Sequence, residues 1–408
     1  MRLTEVFLWG DVMKSRHLRL LFLFGRLLSP FYSGVMRLRA WLYRRGWLPS
    51  EKMSVPVISI GNLTLGGTGK TPMVIYVVGL LQKMGRGPAV ISRGYGGKGA
   101  SALAEIPREA LPGPNGPLVV SDGERVLLDA TLAGDEPVLL ARSLPGVPVL
   151  VSPRRVLSAR YATEKMKIDC LVLDDGFQHL ALGRDIDLAL FSAHDLPGSF
   201  APAPSAGGAG LSAEEGRGVS AVQTKPAAVF PGGPLREPWS ALSRAHGVVI
   251  TGVSSENQAE VDAFCRFLAD KFPALPVFAG EYLPVCLLAA SKGKPNSKIV
   301  SLDQARDRPL YAFAGIARPE SFRETLQRQG FLLTGYHSFP DHHPYTGEDY
   351  KNLVAAAKSR GAGALITTEK DLVKLGPMLD DYPLYALRVA LFMEKAFDDF
   401  IRERITQR

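Results

Sequence analysis

A glycine-rich loop between an apolar strand and an apolar helix occupies residues 55–85. The segment reads VPVISIG, then NLTLGGTGK, then TPMVIYVVGLLQKMG. A short β-branched run that ends in glycine predicts a buried strand, and the next apolar stretch predicts a helix that stops at Gly85. A strand, a loop and a helix in this order predict the first unit of an α/β sheet.

The loop ends in G-K-T, as does the phosphate-binding pattern G-x-x-x-x-G-K-[ST]. In such a loop, backbone N–H groups surround the phosphates, the lysine reaches the terminal phosphates and the Thr hydroxyl holds Mg²⁺. Thr64 stands where the pattern has its first glycine. A glycine-rich turn that binds nothing is the alternative interpretation. The predicted nucleotide-binding residues are Thr64, Gly66, Gly67, Thr68, Gly69, Lys70 and Thr71.

A P-loop enzyme also needs an acidic group near the metal, at the end of a neighbouring buried strand. The run DCLVLDD ends in Asp174 and Asp175 and matches that requirement. We therefore predict metal binding by Thr71, Asp174 and Asp175, and the spacing does not decide which aspartate lies nearer the metal.

Two further motifs offer groups for acid–base chemistry. Asp135, in AGDEPVLLA, stands at a predicted helix start, where it serves either as a helix cap or as a base. His342 and His343 lie in HSFPDHHPY. No Cys or His residues lie at zinc-ligand spacing from them, which favours a loop histidine that orients a carboxylate or contacts an anionic substrate.

The basic charge is concentrated in residues 1–50. They contain nine Lys and Arg residues against one Glu and one Asp, which accounts for seven of the eight excess positive charges. The nearly neutral remainder argues against nucleic-acid binding. Arginines interrupt the segment too often for a membrane span, and no secretory cleavage site follows. The apolar period of this segment predicts an amphipathic helix that Pro30 kinks or splits.

That helix has two interpretations: it lies on an anionic membrane surface, or it packs on its own domain with a solvated charged face. Three widely spaced cysteines indicate a reducing compartment. The alternation of strands and helices predicts an α/β fold with a P-loop NTPase-like parallel sheet and a second, smaller α/β domain. The predicted units are an N-terminal amphipathic segment at 1–54, a kinase domain at 55–245 with a flexible loop at 197–228, and a C-terminal domain at 246–408.

An ordered set of motifs in this chain resembles the tetraacyldisaccharide 4′-kinase family, the lipid A 4′-kinases of Gram-negative bacteria. The strings that carry the resemblance are ISIGNLTLGGTGKTP, VISRGYGG, GDEPVLLA, SPRRV, LVLDDGFQH, GPLREP, FAGIARPESF, HSFPDHHPY and ITTEKDLVKL. They extend over residues 55 to 375. The family's own loop also lacks the first glycine, so Thr64 is part of the match.

The resemblance implies a transferase that uses ATP and Mg²⁺ to phosphorylate the 4′-hydroxyl of a tetraacyldisaccharide 1-phosphate, at the cytoplasmic face of the inner membrane. It implies two α/β domains with the active site in the cleft between them. It further implies that Lys70 serves the phosphates, that Asp135 is the catalytic base and that His342 pairs with this base. The residues expected to contact substrate or line the cleft are Arg93, Tyr95, Glu136, Arg155, Gln178, His179, Arg236 and Glu237.

Two other functions fit parts of the sequence. A membrane-bound nucleotide switch would explain the loop and the basic helix, but a guanine-reading N/T-K-x-D motif does not occur, and TEKD at 368–371 has one residue too many. A P-loop kinase of a soluble metabolite would explain the loop and leave the amphipathic segment without a role.

Overall fold

The computed structural model describes residues 16–94, 106–113, 116–196, 227–291 and 294–408. Tyr95 and nearly all of the predicted loop at 197–228 lie outside these ranges. The helices are α1 (Arg16–Arg44), α2 (Lys70–Lys83), α3 (Ala130–Ala133), α4 (Asp135–Ser143), α5 (Arg155–Lys165), α6 (Gln258–Lys271), α7 (Pro319–Arg328), α8 (Gly347–Ser359), α9 (Glu369–Leu375) and α10 (Lys395–Thr406).

The strands form one mixed sheet within the described part of the chain, and its pairs are mostly parallel. They are β1 (Val57–Asn62), β2 (Pro88–Ser92), β3 (Leu118–Asp122), β4 (Pro148–Val151), β5 (Cys170–Asp174), β6 (Ile186–Ser192), β7 (Gly247–Thr251), β8 (Val277–Ser291), β9 (Lys294–Val300), β10 (Leu310–Ala314), β11 (Leu333–Ser338), β12 (Ala364–Thr368) and β13 (Leu384–Met393). The order across the sheet is β11-β10-β12-β13-β8-β7-β6-β1-β5-β2-β4-β3, and β9 pairs with β8. The predicted α/β class is confirmed.

Strand β1 lies between β5 and β6 and is parallel to both. Its residues are all buried, and helix α2 covers it with Met73, Val74, Val77, Val78 and Leu81. These five side chains recur every three or four residues, so they form one apolar face. The carboxyl ends of parallel strands face the same way, and the connections there leave a crevice for a ligand. This places the glycine-rich loop after β1 beside the acidic end of β5.

Strand β8 connects the two halves of the sheet. Its beginning pairs in parallel with β7, and from Gly280 onward it pairs antiparallel with β13. Helix α10 then returns to the first half, where Tyr76 Oη donates to Asp398 Oδ1 at 2.7 Å and the Phe397 ring packs on Phe278. Strand pairing therefore runs without a break past residue 245, and the domain boundary near that residue stays a prediction.

Helix α1 continues through Pro30, so this proline does not split it. The helix packs on residues 229–232: Ser29 Oγ donates to Val229 O at 2.7 Å, and a Cβ at Gly25 would overlap Pro231 O. Its other face is open, with Leu27 83% and Phe31 77% exposed. No described helix contains a stretch long and apolar enough to cross a membrane.

Candidate active site

The glycine-rich loop is held from both sides. Gly69 has a φ of +74°, and a Cβ there would clash with Tyr282 Oη, so the position requires glycine. Thr251 Oγ1 donates to Thr68 O at 3.0 Å, which fixes the loop to β7. Thr251 and Tyr282 are distant in sequence and were not predicted. Thr64 takes part in an antiparallel bridge with Leu235, so the residue that replaces the first glycine ties the loop to the segment that carries Arg236.

Three cations converge on Asp175. Lys70 Nζ lies 3.6 Å from Asp175 Oδ1, Arg236 donates to both carboxylate oxygens at 3.0 and 3.2 Å, and Arg155 donates to the backbone carbonyl at 2.9 Å. Burial raises the pKa of Asp175, but Lys70, Arg236 and Arg155 outweigh burial and lower that pKa to about 2. Asp175 also has a φ of +52°, a conformation that is uncommon outside glycine and recurs at functional sites. The carboxylate is thus a fixed negative charge.

Asp174, one residue earlier, lies in the opposite environment. It is 2% exposed, its Oδ2 accepts from Ser92 Oγ at 2.9 Å and its Oδ1 has no hydrogen-bond partner. Burial, with Glu136 and Asp175 nearby, raises the pKa of Asp174 to about 7. A buried carboxylate oxygen without a partner fits Mg²⁺, which prefers oxygen ligands, takes one or two carboxylates and keeps several waters. The donor set therefore suits the ion that the sequence predicts.

Asp135 forms a hydrogen-bonded pair with a histidine from the other half of the chain. His342 Nδ1 lies 3.0 Å from Asp135 Oδ2, a separation of 207 residues in sequence. Gly134 occupies the cap position of α4 and Asp135 is the first helical residue, so Asp135 is not the helix cap. Burial raises the pKa of Asp135, but the hydrogen bond from His342 and the charge of Lys370 outweigh it and lower the pKa to about 2. Asp135 is therefore an ionised, oriented carboxylate.

The two adjacent histidines have different partners. His343 Nε2 lies 3.2 Å from Asp349 Oδ2, and its ring stacks on Phe339 with the centroids 4.5 Å apart. His342 has a φ of +58°, which turns its side chain toward Asp135 instead. The structure therefore pairs His342, and not His343, with Asp135. No group of three or more His, Cys, Asp or Glu side chains in the described ranges is arranged to hold a metal ion.

Lys370, on the first turn of α9, completes this cluster and was not among the predicted site residues. Its Nζ lies 3.0 Å from His342 Nε2, 3.7 Å from Asp341 Oδ1 and 3.9 Å from Glu136 Oε1. Helices α4 and α9 pack against each other at this point. Glu136 acts on both clusters, since its charge also contributes to the raised pKa of Asp174.

The other predicted cleft residues are placed as follows. Gln178 Nε2 donates to Asn62 O at 2.9 Å, at the end of β1. Burial and then Arg155 lower the pKa of His179 to about 4, so this imidazole is neutral at pH 7. Arg93 is exposed just after β2.

Glu237 follows Arg236 in the chain and has its own partner. It is 2% exposed, and both of its oxygens accept from Arg244, at 2.6 and 3.0 Å. The Arg244 guanidinium also lies over the Phe177 ring, 4.0 Å from its centroid. The carboxylate therefore holds Arg244 and the segment around it in place, beside the part of the site that Arg236 enters.

Comparisons with known proteins lead to one family. The family model described as tetraacyldisaccharide-1-P 4′-kinase matches residues 21–204 and 220–406. A tetraacyldisaccharide 4′-kinase of Desulfotalea psychrophila is 40% identical over 94% of this chain and 96% of the relative. One from Geobacter metallireducens is 39% identical over 86% of this chain and 88% of the relative.

A solved structure is similar over almost the whole chain. The crystal structure of LpxK from Aquifex aeolicus in complex with ATP has a TM-score of 0.66 and 29% sequence identity, and the match covers 93% of this chain and 97% of that one. The sequence match, the shared fold and the P-loop site lead to one conclusion: the chain belongs to the tetraacyldisaccharide-1-P 4′-kinase family.

Proposed function

We propose that this enzyme transfers the γ-phosphate of ATP to the 4′-hydroxyl of a tetraacyldisaccharide 1-phosphate, with Asp135 as the base. The observation that carries the proposal is the placement of an ionised carboxylate–histidine pair next to a P-loop lysine and two strand-end aspartates. Phosphoryl transfer needs charge neutralisation at the phosphates and a proton acceptor at the hydroxyl. The P-loop lysine would supply positive charge at the phosphates, and Asp135 would supply the proton acceptor at the hydroxyl.

The P-loop side holds the nucleotide. Backbone N–H groups of residues 66–71 surround the phosphates, and Lys70 leaves the neighbourhood of Asp175 to contact the terminal phosphates. Arg155 and Arg236 stay near Asp175 and contribute positive charge. Mg²⁺ bound by Thr71 and Asp174 would neutralise further charge on the phosphate oxygens.

The acceptor side removes one proton. As the 4′-oxygen bonds to the γ-phosphorus, its proton moves to an Asp135 oxygen, and the bond from the γ-phosphorus to the β–γ bridging oxygen breaks with ADP as the leaving group. The 4′-oxygen gives up its proton to Asp135 because this oxygen becomes the ester oxygen of the new phosphate group. Two contacts keep the carboxylate oriented: His342 Nδ1 lies 3.0 Å from Oδ2, and the Glu136 backbone N–H donates to Oδ1 at 3.1 Å. General-base catalysis of this kind contributes on the order of 10²–10⁴-fold.

A direct assay tests this function. Purified enzyme with γ-labelled ATP and tetraacyldisaccharide 1-phosphate in mixed micelles should give labelled lipid, while soluble amino sugars and labelled GTP should give little. Label transferred equally well to a soluble sugar would identify a different substrate class. ATP hydrolysis that transfers no label to lipid would contradict the proposal.

We also propose that the enzyme binds an anionic membrane surface through the open face of α1. A substrate with four acyl chains leaves a bilayer only at a large cost, because each buried CH₂ contributes about 0.8 kcal/mol. Leu27, Phe31 and Leu38 are exposed on this helix, and Arg37 and Arg44 accompany them. Such a combination of apolar and basic side chains is typical of helices that lie in the headgroup region.

Point variants test the membrane proposal better than a deletion, because the other face of α1 packs on the domain through Ser29. Leu27→Asp with Phe31→Asp should reduce co-flotation with phosphatidylglycerol vesicles at least about tenfold. Leu332→Asp with Phe392→Asp changes two exposed apolar residues elsewhere and is the control. Equal flotation of both variants and the wild type would remove α1 from this role.

A further inference from the structure

Arginines hold the backbone of the turn that follows Asp174 and Asp175. Three consecutive carbonyl groups of this turn each accept a hydrogen bond from a different arginine: Phe177 O from Arg244 Nη2 at 3.0 Å, Gln178 O from Arg39 Nη2 at 3.1 Å and His179 O from Arg184 Nη1 at 3.0 Å. Hydrogen bonds from a charged donor are stronger than those between neutral groups. The three arginines therefore fix the turn beside the aspartates of the site.

Arg39 differs from the other two arginines in the element that carries it. Arg244 and Arg184 also form ion pairs, with Glu237 at 2.6 Å and with Asp187 at 2.9 Å, respectively. Arg39 lies on α1 and is half-buried on the side of this helix that contacts the rest of the chain. Its hydrogen bond to the turn is therefore a direct connection between α1 and the site.

Gln178 connects this contact to the glycine-rich loop. While its carbonyl accepts from Arg39, its side-chain Nε2 donates to Asn62 O at 2.9 Å, at the end of β1. Asn62 is fully buried, and its Nδ2 donates to Gly66 O at 3.3 Å, across the start of the loop. Three hydrogen bonds thus connect Arg39 on α1 to Gly66 in the nucleotide loop.

A second connection between α1 and the loop runs through residues 229–234. Ser29 Oγ donates to Val229 O at 2.7 Å, where α1 packs on this segment. At the other end of the segment, Pro234 O accepts from Leu65 N of the glycine-rich loop, also at 2.7 Å. The helix therefore contacts both structures that hold the loop, at two points about 15 Å apart along its axis.

We propose that Arg39 is a positioning residue for the nucleotide site: it ties α1 to the turn after β5 and thereby helps to hold the glycine-rich loop in its binding geometry. The inference rests on the proposed function only in that this loop binds ATP. The opposite face of α1 is the one proposed to bind the membrane, so one helix serves both lipid and nucleotide. Because coupling between two sites is reciprocal, bound nucleotide strengthens the docking of α1.

Nucleotide binding measures this role without lipid or turnover. In titration calorimetry of the full chain in detergent, Arg39→Met should bind MgADP at least about fivefold more weakly than the wild type, the lower end of typical couplings between sites. Arg45→Met removes an exposed positive charge just after the same helix and should leave the affinity within about twofold. Unchanged affinity in Arg39→Met would overturn the proposal, as would an equal loss in Arg45→Met.

A double-mutant cycle tests the route through Gln178. In a Gln178→Ala background, Arg39→Met should weaken MgADP binding by less than about twofold further, because the amide that reaches Asn62 is already absent. A further loss as large as in the wild-type background would show that Arg39 does not act through Gln178, and the proposal would fail.

Hydrogen exchange of the wild type provides the reverse measurement and applies even if Arg39→Met does not fold. Saturating MgADP should slow amide exchange over residues 29–40 at least about threefold, because the nucleotide favours docked α1. Helix α8, which packs on β10 and β12 in the other half of the sheet, should change less. Absent or equal slowing would contradict the coupling. A failure of the proposed function gives a different result: MgADP binding would still depend on Arg39, but no label would reach the lipid.

Discussion

The two acidic clusters of the site differ in how the chain builds them. Asp174 and Asp175 are adjacent in sequence and lie at the end of β5. Asp175 contacts Lys70, which follows the loop after the neighbouring strand β1. The Asp135–His342 pair joins two elements that are 207 residues apart. The first cluster is a local product of the parallel sheet. The second exists only while the two halves of the sheet are held together by β8 and β13.

The charges of the two clusters also differ. Asp174 and Asp175 have pKa values of about 7 and about 2, because one is buried without a cation in contact and the other faces three cations. Burial raises the pKa of Asp135, but the hydrogen bond from His342 and the charge of Lys370 outweigh burial and keep Asp135 ionised. Asp175 contacts the P-loop lysine Lys70, which in such loops reaches the phosphates, whereas Asp135 contacts a histidine, a residue type suited to acid–base work. We therefore propose binding as the role of the first cluster and proton transfer as the role of the second.

The largest expected effect comes from the base. Asp135→Asn removes the proton acceptor and should lower kcat about 10³-fold, within the 10²–10⁴-fold range of general-base catalysis. ATP binding, measured by titration calorimetry, should persist because the P-loop is intact. Asp129→Asn is the control, since Asp129 caps α3 through Leu132 N and asparagine caps equally well. Turnover within a few fold of the wild type would move the base to another residue.

The next effect tests the binding cluster. Lys70→Met removes a cation from the terminal phosphates and should lower kcat/KM about 10²–10³-fold, the range for loss of one preorganised donor to developing charge. Asp175 should stay ionised through Arg236 and Arg155. Lys83→Met, at the exposed end of the same helix, should leave kcat/KM within about twofold. Equal losses in both variants would point to destabilisation of α2.

The contact between Lys70 and Asp175 follows from local rules, so the sequence could predict that these two residues lie in one site. A strand, a glycine loop and a helix place Lys70 and Thr71, and the neighbouring parallel strand places Asp174 within reach. The split of α1 that was one of the two expected effects of Pro30 does not occur, and the sheet pairing past residue 245 was not predicted. Both depend on packing: α1 docks on Pro231, and β7 pairs with β6 on one side and β8 on the other.

The second cluster was predicted in part. The residues themselves offered Asp135 and a loop histidine for acid–base chemistry, and the resemblance paired Asp135 with His342. Spacing could not choose between His342 and His343 because the choice depends on the left-handed backbone at His342. Lys370 and Tyr282 were missed, since each acts through a contact across the sheet. The string ITTEKD contained Lys370, and a lysine two residues after the helix cap Thr368 gave no local signal of its role.

The adjacent histidines provide the third test, a matched pair. His342→Asn should lower kcat about 10²-fold, since a misplacement of a reacting group by about 1 Å costs that much. His343→Asn should change kcat by less than about threefold and act mainly on stability, because His343 stacks on Phe339 and contacts Asp349. Steady-state kinetics of both variants decide the matter. The reverse order would assign the pairing to His343 and contradict the structure.

The smallest effect concerns stability and pH. The pKa of the Asp135 carboxyl is about 2 in the folded chain, against the usual 3.8 in the unfolded chain. The ionised carboxylate therefore stabilises the fold above pH 4. That contribution is about 2 kcal/mol at neutral pH and falls by about half at pH 3, because the folded carboxylate holds its charge while the unfolded one is protonated. The free energy of unfolding of the wild type relative to Asp135→Asn, from urea titrations between pH 6 and pH 3, should decline accordingly.

The same difference measured between the wild type and Asp175→Asn should decline in parallel, since the pKa of Asp175 is lowered to a similar value. In a His342→Asn background, the loss of unfolding free energy that Asp135 causes between pH 6 and pH 3 should become smaller. The loss that Asp175 causes should stay the same in that background, because only the second cluster depends on contact between the two halves of the sheet. A decline of equal size in His342→Asn and the wild type would mean that His342 does not hold the Asp135 charge.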